Sequence, residues 1–220
     1  MTDAVPTTEA HLRAHFPSLP QSPLISRAFD YARERCPAFL FNHVARSWAF
    51  ASKLALQDDL AHDAEVLAVS TLLHDLGLTE HAPGPNRFEV NGANLAAAFV
   101  REQGFDDRRA QLVWDSIALH ATPSISAFKE PEVALCARGI GVDFGTPDND
   151  LLGPSPIALA LAAAPRLDMK RQFTACVCQL ARSRPETTYA NFIRDFGERL
   201  VPGYKAPSWV DVIANGPFEE

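Results

Sequence analysis

Between Asp63 and Leu76 the chain is apolar almost all the way round a helix, through Val66, Leu67, Val69, Leu72 and Leu73. A helix without a polar face has no side to offer water, so other elements must surround it. Its neighbours in sequence read as helices too. Phe39 to Leu56 places Phe41, Val44, Ala45, Trp48, Ala49, Ser52 and Leu56 on a period of about 3.6. Glu89 to Gln103 resumes the pattern and stops at Gly104. Asp106 stands as the N-cap of a helix running to about His120, with Val113, Ile117 and His120 on one stripe. Thr122-Pro123 ends it, and Glu132 to about Phe144 forms the next. No segment alternates apolar with polar residues between turn signals, and no long unit repeats. The pattern predicts an all-α helical bundle.

At 220 residues the chain buries enough surface to fold as one domain without disulfide or metal staples. Residues 1–24, punctuated by Pro6, Pro17, Pro20 and Pro23, read as an arm on the surface with one short helix at Thr8–Leu12. The Gly153-Pro154-Ser155-Pro156 junction marks the boundary between a core of about 35–150 and a helical extension, 155–215. Ser155 is its expected N-cap and Pro156 its first helical residue. Helices near 169–182 and 186–200 follow, then a short tail containing Trp209.

A net charge of −7, with no basic run interleaved with aromatics, argues against a nucleic-acid partner. The longest apolar run, Ile157 to Ala164, is far short of the ~20 residues that span a bilayer, so no membrane partner is expected. The opening Met-Thr-Asp-Ala-Val-Pro has neither a basic nor an apolar leader region. Cys36, Cys136, Cys176 and Cys178 form no C-x-x-C pair and read as reduced, small apolar residues. A cytoplasmic location is the expectation.

Of the seven histidines, His11, His15 and His62 fall in polar stretches, whereas His43, His74 and His120 fall where burial is expected. A buried imidazole needs a hydrogen-bond partner or a metal. The sharpest local signal is Leu72-Leu73-His74-Asp75-Leu76-Gly77. A carboxylate inside an apolar helix is costly unless paired. A divalent cation supplies the missing charge and takes both side chains as ligands; a hydrogen-bonded His–Asp pair at the helix end is the plainer alternative. Asp143 is a second lone acid among apolar residues, late in its helix. There it meets the unfavourable end of the helix dipole and calls for positive charge nearby, or else caps a turn or pairs with Arg138.

Together His43, His74-Asp75 and Asp143 resemble the H…HD…D signature of the HD-domain superfamily of metal-dependent hydrolases and lyases. The resemblance covers about residues 35–150 and implies an HD-domain helical bundle with His43, His74, Asp75 and Asp143 on one metal ion. Zinc is the first expectation, with iron, manganese or nickel as alternatives. Within the superfamily the chain looks closest to the cyanamide hydratase-like branch, through His74-Asp75-Leu76-Gly77-Leu78-Thr79, Arg87-Phe88-Glu89-Val90-Asn91-Gly92-Ala93 and Trp114-Asp115-Ser116-Ile117-Ala118-Leu119-His120. Many relatives carry Thr directly after that last His; here Ala121 intervenes and the hydroxyl is Thr122.

That branch implies a hydro-lyase adding water to a small nitrile-type substrate, cyanamide to urea, by metal-bound hydroxide. Asp75, His120, Glu89 and Thr122 are the candidate catalytic residues, the last three for the proton that the nitrile nitrogen needs. For Glu89 a helix N-terminal role is the alternative. The second reading is a phosphohydrolase acting on a nucleotide or phosphomonoester, which needs a positive pocket; only Arg46 and Arg87 lie near the motifs. A third is a non-catalytic bundle with a structural metal. The partner expected is a small-molecule substrate, and a homo-oligomer is left open.

Overall fold

The computed structural model describes residues 7–218, so the first six residues of the expected arm, Pro6 included, lie outside it. Among the described residues the secondary structure is helical and no strand occurs. The elements are α1 (Thr8–His15), α2 (Pro23–Arg35), α3 (Ala38–Gln57), α4 (Ala64–Leu73), α5 (Phe88–Glu102), α6 (Asp107–Leu119), α7 (Pro123–Ser126), α8 (Pro131–Asp143), α9 (Asp148–Leu152), α10 (Pro154–Ala163), α11 (Met169–Ser183), α12 (Ile193–Leu200) and α13 (Trp209–Ala214). Short 3-10 turns lie at Leu76–Leu78 and Pro185–Thr187. No helix among the described residues is long and apolar enough to cross a membrane.

The chain divides into two compact units, 1–169 and 170–220. In the first, α4 is the central helix that its composition demands: every residue from Val66 to Leu73 is buried, with α2, α3, α6 and α8 packed against it. α3 runs along α8, and α5 pairs with α6. Most of the helix bounds match the pattern. Three readings are corrected. The arm does not lie on the surface, because Leu12, Phe16, Leu19 and Leu24 join the main core. α10 begins at Pro154 behind Gly153 (φ 75°), two residues before the expected start, and lies within the first unit. In the second unit, the expected 186–200 helix is a 3-10 turn followed by the shorter α12, and the tail forms α13.

Asp63 fixes where α4 starts. Its Oδ1 accepts from the Glu65 and Val66 amides at 3.0 and 3.1 Å. Arg109 of α6 donates from Nε to Oδ2 at 2.8 Å and from Nη2 to Glu65 at 2.9 Å, tying two helices at one point. Burial pushes the Asp63 carboxyl up, but Arg109 and the two amides outweigh it and hold it below its ordinary value. A carboxyl lowered in the folded state stabilises above its unfolded pKa, and that stability is lost as pH falls through the folded one. Asp63→Ala is therefore expected to cost about 1 kcal/mol in urea unfolding at pH 7. The gap between variant and parent should begin to shrink below about pH 4 and go on shrinking as pH falls through the lowered folded value; a gap that does not narrow on acidification contradicts the charged cap.

Candidate metal centre

Three helices of the first unit end beside one another. His74 caps the C-terminus of α4, His120 caps that of α6, and Asp143 is the last residue of α8. Helix C-termini carry partial negative charge, so their meeting point favours a cation. The two capping histidines use the same device. Nδ1 of His74 donates to the Thr71 carbonyl at 2.8 Å, and Nδ1 of His120 donates to the Ile117 carbonyl at 2.7 Å. A carbonyl can only accept, so both rings carry a proton on Nδ1 and, when neutral, present a lone pair at Nε2. His43, from the middle of α3, does the same: Nδ1 meets the Asp143 carboxylate at 2.7 Å.

The lone pairs converge. Nε2 of His43 and Nε2 of His74 stand 3.2 Å apart, and Oδ2 of Asp75 lies 3.3 Å from the second and 3.6 Å from the first. All three side chains are buried, and Oδ2 of Asp75 receives no hydrogen bond. Acceptors do not collect without a donor at low cost in a buried site. Two ligand atoms held about 2.1 Å from one ion at a tetrahedral angle lie about 3.4 Å apart, which is the spacing seen. The residues fit a divalent metal ion. Burial pushes the Asp75 carboxyl up, but His74, His43 and His120 outweigh this and hold it at about 2, so it is ionised. Burial, then the neighbouring His74, lowers His120 to about 4. Burial, with the neighbouring His74, lowers His43 despite the opposing Asp143 carboxylate. Burial and the Asp75 charge push the Cys136 thiol up.

Asp143, expected as a fourth ligand, is placed behind His43 and not among the converging atoms. Its Oδ2 accepts from His43 Nδ1 and from Arg46 Nη2 at 2.6 Å. Its Oδ1 accepts from Arg46 Nε at 2.8 Å and from Arg166 Nη1 at 3.0 Å. A carboxylate has about four lone-pair sites, and all are taken. The positive charge that its helix end demands comes from Arg46 and Arg166, while Arg138 pairs with Asp58 and Asp148 instead. Neither arginine stood out as a site residue. Arg46 had a signal: three residues after His43, it is a charge inside an apolar helix face.

His120 stands at the edge of the cluster, its Nε2 3.9 Å from Oδ1 of Asp75. Glu89, in the first turn of α5, is fully buried and bound by Arg87 at 2.6 Å, and its negative charge acts on His120. The N-cap residue of α5, Arg87, makes no side-chain capping bond. Phe88 meets His120 edge-on at 5.6 Å, and Phe144 meets His43 at 5.1 Å. Thr122 is half-buried where α7 begins; its carbonyl accepts from the Ile125 and Ser126 amides, and its side chain makes no capping bond. No protein-family model matches the chain, and no curated protein matches it.

Proposed function

We propose that the chain is a metal-dependent hydro-lyase that hydrates a small nitrile-type substrate, most simply cyanamide to urea. One observation carries the metal: Nε2 of His43, Nε2 of His74 and Oδ2 of Asp75 converge within 3.6 Å of one another in a buried cluster, and that carboxylate oxygen has no hydrogen-bond partner. When bound, a divalent ion supplies Lewis acidity and brings the pKa of water down to about 7. The likeness of these motifs to the cyanamide hydratase-like branch of the HD-domain superfamily supports the substrate class.

The neighbouring residues suit a small neutral substrate. Arg46, Arg87 and Arg166 are each already bound to a carboxylate, leaving them poorly placed to hold phosphate. The Phe88 and Phe144 rings give two of the histidines apolar neighbours. In hydration, water's oxygen bonds to the nitrile carbon and the C≡N π bond opens towards nitrogen. Urea forms when the isourea so produced shifts its hydroxyl proton to nitrogen; before that, one water proton must reach the same nitrogen. His120, held with Nε2 as its acceptor by the bond to Ile117, takes this proton and returns it, while Glu89 stabilises the transient imidazolium.

Zinc-loaded protein is expected to form urea from cyanamide. His120→Gln should bind zinc as the parent does and lose about 10²–10⁴ in kcat. Urea production unaffected by that change removes His120 from the chemistry. No urea from parent protein holding one equivalent of zinc eliminates cyanamide, and turnover of phosphomonoesters in its place would establish the phosphohydrolase.

A further inference from the structure

Arg46 is completely buried in the middle of α3, one turn from His43. A guanidinium in that position is expensive unless its N–H groups find acceptors. It carries five N–H donors. Nε and Nη2 grip the two oxygens of Asp143 at 2.8 and 2.6 Å, a fork on a fork. Nη2 also reaches Sδ of Met169 at 3.3 Å. Nη1 donates to the carbonyls of Ala164 at 2.6 Å and Pro165 at 3.3 Å. Asn42, the residue before His43, donates to the same Pro165 carbonyl at 2.8 Å. The stretch 164–169 thus forms a strap that receives Arg46 on one side. Arg166 of that strap returns to the carboxylate and the main-chain carbonyl of Asp143.

We propose that Arg46 is a positioning residue of the metal centre: anchored on the strap, it clamps the Asp143 carboxylate against Nδ1 of His43 and so holds Nε2 of that ring deprotonated and aimed at His74 and Asp75. The proposal rests on the reading of this cluster as a metal site. The chain His43–Asp143–Arg46 is longer by one member than a simple carboxylate–histidine pair. Such outer partners fix a ligand's tautomer and orientation, and their loss costs about 10–100-fold in metal affinity. Salt-bridge burial for stability alone gives no reason for Asp143 to face the one imidazole nitrogen opposite the cluster.

The test compares the parent with Arg46→Met, Arg46→Lys and Asp143→Asn. The full chain is labelled with ¹⁵N and studied both chelator-stripped and with one equivalent of zinc. Long-range imidazole spectra of the stripped parent should report His43 as the Nδ1–H tautomer, and Arg46→Met should give a mixture. Zinc competition against a chromophoric chelator should show affinity falling about 10–100-fold, with stoichiometry still one. Arg46→Lys keeps a charge but cannot span both carboxylate oxygens; about tenfold is expected, and this variant carries the test if Arg46→Met does not fold. An unchanged tautomer and affinity in the arginine variants would reduce Arg46 to a structural ion pair. Loss of all zinc binding in Asp143→Asn would make that carboxylate a ligand and overturn the proposal. A parent that takes up no zinc defeats the metal reading alone, since the tautomer of the stripped protein still decides the role of Arg46.

Discussion

Asp75→Asn is expected to cut zinc affinity by at least ~10³-fold, about 4 kcal/mol, while leaving the chain folded. The carboxylate would supply both a ligand atom and a negative charge to the cluster. An amide keeps the shape but not the charge. Its NH₂ can donate to the His43 and His74 lone pairs, so the substituted site satisfies itself without an ion, and folding survives for that reason. Metal linkage makes the effect visible in a melting curve. A ligand at 100 times its dissociation constant stabilises by about 2.7 kcal/mol, or about 5–10 °C for a unit of this size. Chelation should lower the parent's Tm by that amount and leave the variant's unmoved. Urea formation should disappear along with the metal. A variant that still holds one equivalent of zinc, measured by elemental analysis, would place the ion elsewhere. A parent that gains stability from zinc but turns over neither cyanamide nor phosphomonoesters would favour the structural-metal bundle.

What could be read from the chain was what local pattern encodes. The buried central helix, its Asp63 start, the Asp106 cap and the His120 stripe all depend on residues within a turn or two of one another. The structure has each of them. His74 and Asp75 were legible because two polar groups break an apolar run. The role of Asp143 was not. Its sequence position places it at a helix end and calls for a cation, but the partners that saturate it come from α3, 97 residues earlier, and from the strap, 23 residues later. Nothing local says whether such an acid faces a metal or backs a histidine. The N-terminal arm misled for the opposite reason. Its prolines suggest a surface path, whereas Leu12, Phe16 and Leu19 recur often enough to fill a groove that only the folded bundle presents.

Gly139→Ala shows the same limit and should be the most destabilising small substitution on α8. Glycine inside a helix costs about 1 kcal/mol relative to alanine, so propensity alone predicts that the change stabilises. Packing reverses the sign. A Cβ at 139 would stand 2.5 Å from Cβ of Ala51, 2.6 Å from the Ala51 nitrogen and 2.7 Å from the Ser47 carbonyl oxygen. Two of these are backbone atoms of α3 and cannot rotate away, so the helices must move apart. Overpacking of this kind costs about 1–3 kcal/mol or more. Against the propensity gain of about 1 kcal/mol, clashes with fixed backbone put the expected net loss at up to about 2 kcal/mol, lowering Tm by up to about 4–8 °C. The loss should also reach the metal centre. His43 rides on α3 and Asp143 on α8, four residues beyond the glycine, so separating these helices lengthens the 2.7 Å bond that sets the His43 tautomer. Zinc affinity should therefore fall together with stability, although residue 139 touches no ligand atom. A Tm equal to the parent's would mean that α3 and α8 do not approach this closely; a lower Tm with unchanged zinc affinity would uncouple the helix contact from the site.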